Sequence, residues 1–281
     1  MSVDFRDQNN FTSCAFAHIS QRLSACFLSL PLWFSCLGVS VVANQVAAEE
    51  TLTVASRINT PPFVFGEFQG GIDMEIVAAI ENHSNLRFKY IHIPRNRILA
   101  PFAGTELDGY LIQPLETHDD GCMTNWYVQH MDYAVTLKDK KINIQHVNDL
   151  GKLKVISFDG ATKFLTKVFR DAVKDNPHYI ESYHQRSHIQ ILYKGRFDAI
   201  VGDSLILKYH QKNHFKRTGE YHEIETHDIL PPIRLSARFK KPRHCTEFNK
   251  ALAEIRQNGV YDEIFHKYEN EILEVKNKPQ P

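Results

Sequence analysis

Neither sign of charge dominates this chain. Among 281 residues, 33 basic side chains meet 33 acidic ones, for a formal net charge of +0. That balance excludes the electrostatic footprint of a nucleic-acid binder, so no nucleic-acid partner is expected. Several catalytic and cofactor signatures are also missing. There is no HExxH or CxxC for a metal, no GxSxG or Cys/His pattern for a nucleophile, and no GxxxxGK[ST] or GxGxxG for a nucleotide. Neither a metal nor a cofactor is expected. Glycine (13) and proline (12) are too few for a fibrous or low-complexity chain. With 43% hydrophobic and 23% charged residues, the composition is that of a globular protein.

Long apolar runs are absent except at one end. Residues 23–43, "LSACFLSLPLWFSCLGVSVVA", carry no charge, and "NQVAAEE" comes next. Val46 and Ala48 fit a signal-peptidase site, so residues 1–48 read as a signal peptide cleaved after Ala48. Arg6 and Arg22 are balanced by Asp4 and Asp7, and about 20 apolar residues can also span a bilayer, so a retained anchor is the competing reading. Pro31 and the small-residue exit favour cleavage and a periplasmic location. Removal of 48 of the 281 residues leaves 233, enough for one large domain or two lobes. Of five cysteines, Cys14, Cys26 and Cys36 leave with the signal. Cys122 and Cys245 remain, so distant in sequence that a bridge is not assumed.

From residue 51 onward, strand and helix patterns alternate. "TLTVAS" (51–56) and "LRFKYIHI" (86–93) alternate as strands, and "GGIDMEIVAAIENHS" (70–84) has helical spacing. A short helix through Ile98, Leu99 and Phe102 is expected before Gly104, and then the strand "LDGYLI" (107–112). The pattern recurs with the strand "KLKVISF" (152–158), a helix over 162–176 and the weaker strand "YIESYH". Next comes a helix that Ser187 and Gln190 would open as a capping box, and then "FDAIVGD". "GTELDGYLI" and "GRFDAIVGD" share one logic: glycine, aspartate, apolar strand. Asp108 and Asp198 therefore read as structural tethers of the turn. The tail (245–273) gives two helices parted by Gly259, which return to cover the first lobe. The expected fold is α/β with two lobes, each a mainly parallel sheet flanked by helices, joined by two hinge crossings. The expected boundaries are 49–130 and 235–275 for lobe one, 131–234 for lobe two, and a disordered tail at 276–281.

Ligands of open α/β sheets bind beyond the carboxyl ends of the strands. Four segments project there. "SRINTPPF" (56–63) offers the cationic fork of Arg57 and the ring of Phe63, though Phe63 reads equally as lobe core. "FDGATKF" (158–164) turns through Gly160 and Ala161 into a helix start, where free N–H groups and the Thr162 hydroxyl suit a carboxylate. Asp203 lies past the strand "AIVGD", where it can meet a ligand ammonium or simply cap the next helix. Arg97, in "PRNR", reads more readily as a solvated arginine, and Trp126 is a further aromatic candidate. The pairs His184/His188 and His210/His214 read as surface histidines. Glu116, Asp119 and Asp120, in "LETHDDG", are the acids available for acid–base work.

Taken in order, "LTVASRINTPPFVF…GGIDMEIVAAI", "NDLGKLKVISFDGAT", "GRFDAIVGDSLIL" and "LPPIRLSARFKK…FNKALAEIRQNGVYDEIFHKY" resemble the bacterial periplasmic solute-binding proteins of family 3, the polar amino acid type. The resemblance spans about residues 51–270. It implies hinge crossings near Tyr127–Tyr133 and Ile229–Ala237. It also implies that Thr162 donates to a ligand carboxylate, that Asp203 receives the amine, and that Phe63 flanks the side chain. One departure stands out: "QPLETHDDGCMTNWY" lacks the arginine that clamps the carboxylate in typical members, leaving Arg57 or Arg97 to substitute. The resemblance thus implies a monomeric binding protein that captures a small polar solute, such as an amino acid, for an inner-membrane ABC permease. The rival readings are a sensor module for a membrane receptor and an enzyme resembling cyclohexadienyl dehydratase. On the binding reading, replacing Asp203 by alanine is expected to cost affinity and little stability.

Overall fold

A computed structural model of the chain describes residues 49–94, 97–98, 100–114 and 120–273. The signal peptide and the tail beyond 273 expected from sequence lie outside the described residues, as do Glu116 and Asp119. Among the described residues no helix is long and apolar enough to cross a membrane.

Two mixed sheets carry the fold. The first contains β1 (Glu50–Ser56), β2 (Leu86–His92), β3 (Gly109–Pro114), β4 (Cys122–Met123), β5 (Val128–His130) and β11 (Ile233–Phe239). Its order is β2-β1-β3-β11-β4, with β5 also pairing β11. Strand β1 is parallel to β2 and β3, whereas β11 is antiparallel to its three neighbours. Helices α1 (Ile72–Asn82), α6 (Pro242–Gln257) and α7 (Val260–Leu273) bury Ile76, Ile80, Phe248, Leu252, Ile255 and Tyr268 in one core with this sheet. The tail helices thus cover the sheet as the sequence requires.

The second sheet contains β6 (Asp132–Leu137), β7 (Val155–Phe158), β8 (Tyr179–Ser182), β9 (Ala199–Asp203) and β10 (Ile224–His227), in the order β10-β6-β9-β7-β8. Strands β7, β8 and β9 run parallel, and β6 and β10 make antiparallel pairs. The apolar run 199–201 is explained by burial on both faces. Ala199 and Val201 pack on one side with Phe169, while Ile200 packs on the other with Ile189 and Leu192. The chain leaves the first sheet after His130, enters the second at Asp132, and returns between His227 and Ile233.

The two tethering aspartates act alike. The Asp108 carboxylate accepts from the Thr53 N–H at 2.9 Å, and its own N–H donates to the Thr53 carbonyl at 2.8 Å. Asp198 repeats both bonds with Lys154, each at 2.8 Å.

Four details differ from the sequence reading. The helix expected over 162–176 is two helices, α2 (Ala161–Phe164) and α3 (Lys167–Val173). Leu165 is extended between them, and the Thr166 side chain caps α3 by accepting from the Phe169 N–H. Ser187 forms no capping box: its hydroxyl donates to the His184 carbonyl at 2.7 Å ahead of α4 (His188–Tyr193). Before Gly104 the described residues show tight 3-10 geometry at Arg97 and turns or bends at Ile98 and 102–104, with Ile98 and Phe102 buried, and Leu99 lies outside the described residues. Finally, Cys122 and Cys245 are bonded, tying β4 to α6.

Candidate functional site

A loop, a helix start and a chain crossing converge between the sheets. Gly71 (φ 110°) lets α1 begin directly against the 61–63 turn, since a Cβ there would lie 2.3 Å from the Phe63 carbonyl oxygen. The Ile72 and Asp73 N–H groups donate to the Pro62 and Phe63 carbonyls, each at 3.0 Å. Asp73 is thereby held in the first turn of α1, 1% exposed and opposite Arg57 at the end of β1.

From there a polar chain crosses between the lobes. Arg57 Nη2 donates to Asp73 Oδ2 and to His130 Nε2, both at 2.9 Å. Arginine can only donate, so Nε2 is the acceptor, and the ring proton of a neutral His130 sits on Nδ1. Nδ1 lies 3.3 Å from Asp203 Oδ2. Burial raises the Asp73 carboxyl above the usual range, against the opposing pull of Arg57 and His130. Phe63 is fully buried beneath this chain, its ring 4.1 Å from that of His130 and 5.3 Å from the Arg57 guanidinium. It supports the polar groups from within the core.

Asp203 is the helix cap that one of its sequence readings expected, and it also faces the chamber. Oδ1 accepts from the Leu205 and Ile206 N–H groups at 2.9 and 3.0 Å, capping α5 (Ser204–Thr218), and Oδ2 accepts from the Met131 N–H at 3.0 Å. The same residue lines a cavity of about 50 Å³ with Arg57, His130 and Asp132. Ile112 and Leu235 wall it from the first sheet, and Phe158 and Phe164 from the second lobe. Through Gln185 and Ile206 this chamber adjoins a groove of about 610 Å³, bounded by Asn59–Pro61 on one side and by Tyr183, Arg186 and Tyr209 on the other.

Gly160 and Thr162 donate to a side chain of the protein itself. The Gly160 N–H donates to Glu181 Oε2 at 2.7 Å, and the Thr162 N–H and hydroxyl both donate to Oε1 at 2.8 Å. The Tyr179 hydroxyl adds a fourth bond at 2.9 Å. Partial burial pushes the Glu181 carboxyl up, but the bonds from Thr162, Tyr179 and Gly160 outweigh it and hold the group below the ordinary glutamate range. Ala161 is buried in the second lobe's core. The donor set predicted for a ligand carboxylate exists, and a side chain of this protein fills it.

The remaining candidates fall elsewhere. Arg97 is exposed and is not among the described residues that line the chamber or the groove. Trp126 lies 4.2 Å from the Arg256 guanidinium and 5.4 Å from that of Arg234, on a separate groove that also reaches Asp203. Asp120, one of the three acids read as available for acid–base work, accepts from the fully buried Arg238 at 2.6 Å and from the Phe102 N–H at 2.6 Å. The histidines need correction. His188, His210 and His214 are 1%, 8% and 3% exposed, because α4 and α5 pack these faces inward. Burial pushes His188 and His210 each down to about 4, helped by His210 and by Arg186 respectively. His214 pairs with Glu220 at 2.8 Å. No group of three side chains able to hold a metal occurs among the described residues.

Sequence reasoning missed His130, Asp132, Asp73 and Glu181 as members of these clusters. His130 and Asp132 flank the crossing in "YVQHMDY", which carries no motif, and Asp73 lies inside a stretch read only as a helix start.

Two mixed sheets flanked by helices, with a largely apolar chamber edged by Arg57, His130, Asp132 and Asp203 where they meet, define a two-lobe α/β binding fold. The family model of the bacterial extracellular solute-binding proteins, family 3, matches residues 52–271, and the chain belongs to that family. No curated protein matches it by sequence. Among solved structures, it is similar to an ancestral arginine-binding protein bound to arginine (20% identity, 78% of this chain and 97% of that one, TM-score 0.59). It is also similar to a histidine kinase sensor domain with similarity to periplasmic binding proteins (15%, 78% and 96%, 0.63). A third is the probable amino-acid ABC transporter extracellular-binding protein ytmK from Bacillus subtilis (19%, 78% and 98%, 0.60). At these identities the likeness is one of fold.

Proposed function

We propose that this protein captures a small polar solute between its lobes in the periplasm, after loss of residues 1–48, and delivers it to an inner-membrane ABC permease. The observation that carries the reading is the convergence of Arg57 and His130 from the first lobe with Asp132 and Asp203 from the second on one chamber. Groups from both lobes around one ligand give the closed form a higher affinity than the open one, and that difference is the work a capture protein does. Residues 49–130 with 235–275, and 131–234, would be the moving bodies. Capture of this kind needs no bond-making step.

A thermal-shift screen of the purified protein against amino acids, amines, short peptides, sugars and organic acids tests this. A ligand at 100 times its Kd stabilises the folded state by about 2.7 kcal/mol, which raises the melting temperature by several degrees. A screen with no stabilising compound counts against capture.

A further inference from the structure

We infer that the captured solute is longer than a free amino acid: one end enters the chamber, and the body lies along the outer groove, held from both lobes by uncharged amide and hydroxyl side chains. The inference rests on the capture reading above and names the chemistry of its solute. Capacity is the first argument. At about 10–15 Å³ per water, 50 Å³ holds roughly three to five water-sized positions, the bulk of one end group. The adjoining groove measures about 610 Å³. That falls within the range of about 300–1,000 Å³ over which pockets enclose drug-sized molecules. Gln185 and Ile206 line both spaces, so a single molecule can run from one into the other.

The groove walls supply the chemistry. Asn59 comes from the loop after β1 in the first lobe, and Tyr183, Gln185, Tyr209 and Asn213 come from the second. Among the described residues, none of these five side chains makes a hydrogen bond within the protein. Gln185, Tyr209 and Asn213 are half-buried, and polar groups so placed are costly unless a partner meets them. A carboxamide offers an acceptor and two donors, so it pairs with neutral groups that also do both, namely amides and hydroxyls. Tyr183, 74% exposed, adds a ring face on which the body of the solute can lie. Arg186 and Arg217 are exposed, where a charge contact adds little. A body seated here touches both lobes, so each added contact favours the closed form.

The test is calorimetric titration of the whole protein, as processed by the cell, with two length series: free alanine, dialanine and trialanine for amides, and glucose and maltotriose for hydroxyls. The trimer of one series should bind at least about tenfold more tightly than its monomer, and which series does so separates a peptide from a sugar. Asn213→Ala and Asn59→Gly should each weaken that trimer about 2–10-fold, and more than they weaken the monomer. Both variants keep the backbone: alanine suits the interior of α5, and glycine suits the φ of 50° at Asn59. A monomer bound as tightly as its trimer overturns the inference and leaves capture standing, as does a length effect that neither groove variant moves. Silence from both series also overturns it. An organic acid or amine that stabilises the protein in the wider screen would then keep capture, and silence there would remove it.

Discussion

Asp203→Ala is the substitution on which the binding and structural roles of one carboxylate separate. The change removes the side-chain cap of α5, formed by the bonds from Leu205 and Ile206, and such a loss costs about 1 kcal/mol. It also strands the Met131 N–H, whose acceptor was Oδ2, at about 1–3 kcal/mol for a part-buried donor. Together these amount to roughly 3 kcal/mol, a large share of the 5–15 kcal/mol typical of a folded domain. For a chain of this size that lowers the melting temperature by about 6–12 °C. This replaces the expectation from sequence that stability would hardly change. Asp203→Asn keeps one oxygen for the cap but turns an NH₂ towards the Met131 N–H, so it should recover only about 1 kcal/mol of the loss. Urea and thermal melts of both variants without ligand provide the measurement. An alanine variant melting within about 2 °C of the parent would refute the tether and leave Asp203 as a ligand group alone.

Other perturbations draw on the same geometry. The Cys122–Cys245 bond closes a separation of 123 residues, for which loop entropy sets a ceiling of about 5 kcal/mol; the double serine variant should lose about 2 kcal/mol or more in urea melts, and an unchanged midpoint would show that the bridge contributes nothing in solution. His188 and His210, held at about 4 when folded against about 6.5 when unfolded, make the unfolded chain the better proton binder. Their contribution is complete above about pH 6.5 and is lost as pH falls towards 4, with a slope up to about 1.4 kcal/mol per pH unit for each ring. Melts from pH 7.5 to 4.5 should show less acid sensitivity in the His188→Gln/His210→Gln variant, and an equal slope refutes the assignment. Asp120→Ala leaves the buried Arg238 guanidinium without its carboxylate and should cost about 3 kcal/mol, much of it restored by adding Arg238→Met; equal stability of parent and single variant would remove the pair from the stabilising contacts.

The fold was largely readable because its signals are local. Alternation marked β1 and β2, the doubly buried run 199–201 marked β9, and the glycine–aspartate entry repeated in both lobes marked two tethers that proved to make the same pair of bonds. What was not readable depends on partners distant in sequence. The Thr166 hydroxyl could cap a new helix only where Leu165 turned extended, and periodicity through 162–176 hides such a break. The buried histidines looked superficial because α5 is polar overall, and only packing against α4 encloses His210 and His188. Thr162 was read as a donor to a ligand carboxylate, and nothing in "YIESYH" reveals that Glu181 arrives on the neighbouring strand to accept from it.

The crossing between lobes and the start of α5 are held by one carboxylate, Asp203. His130 ends the last strand of the first sheet before the crossing, Asp132 opens the second sheet, and the Met131 N–H between them donates to Asp203. That carboxylate fixes the start of α5 and the crossing together, and both roles use oxygens that a ligand would have to compete for. A carboxylate has about four acceptor positions; N–H bonds fill three of them here, and His130 Nδ1 lies 3.3 Å from Oδ2 at the fourth. Asp132 lines the same chamber from the first residue past the crossing. The crossing at 130 to 132 and the chamber thus share residues, which is where a protein that works by closing would couple lobe orientation to capture.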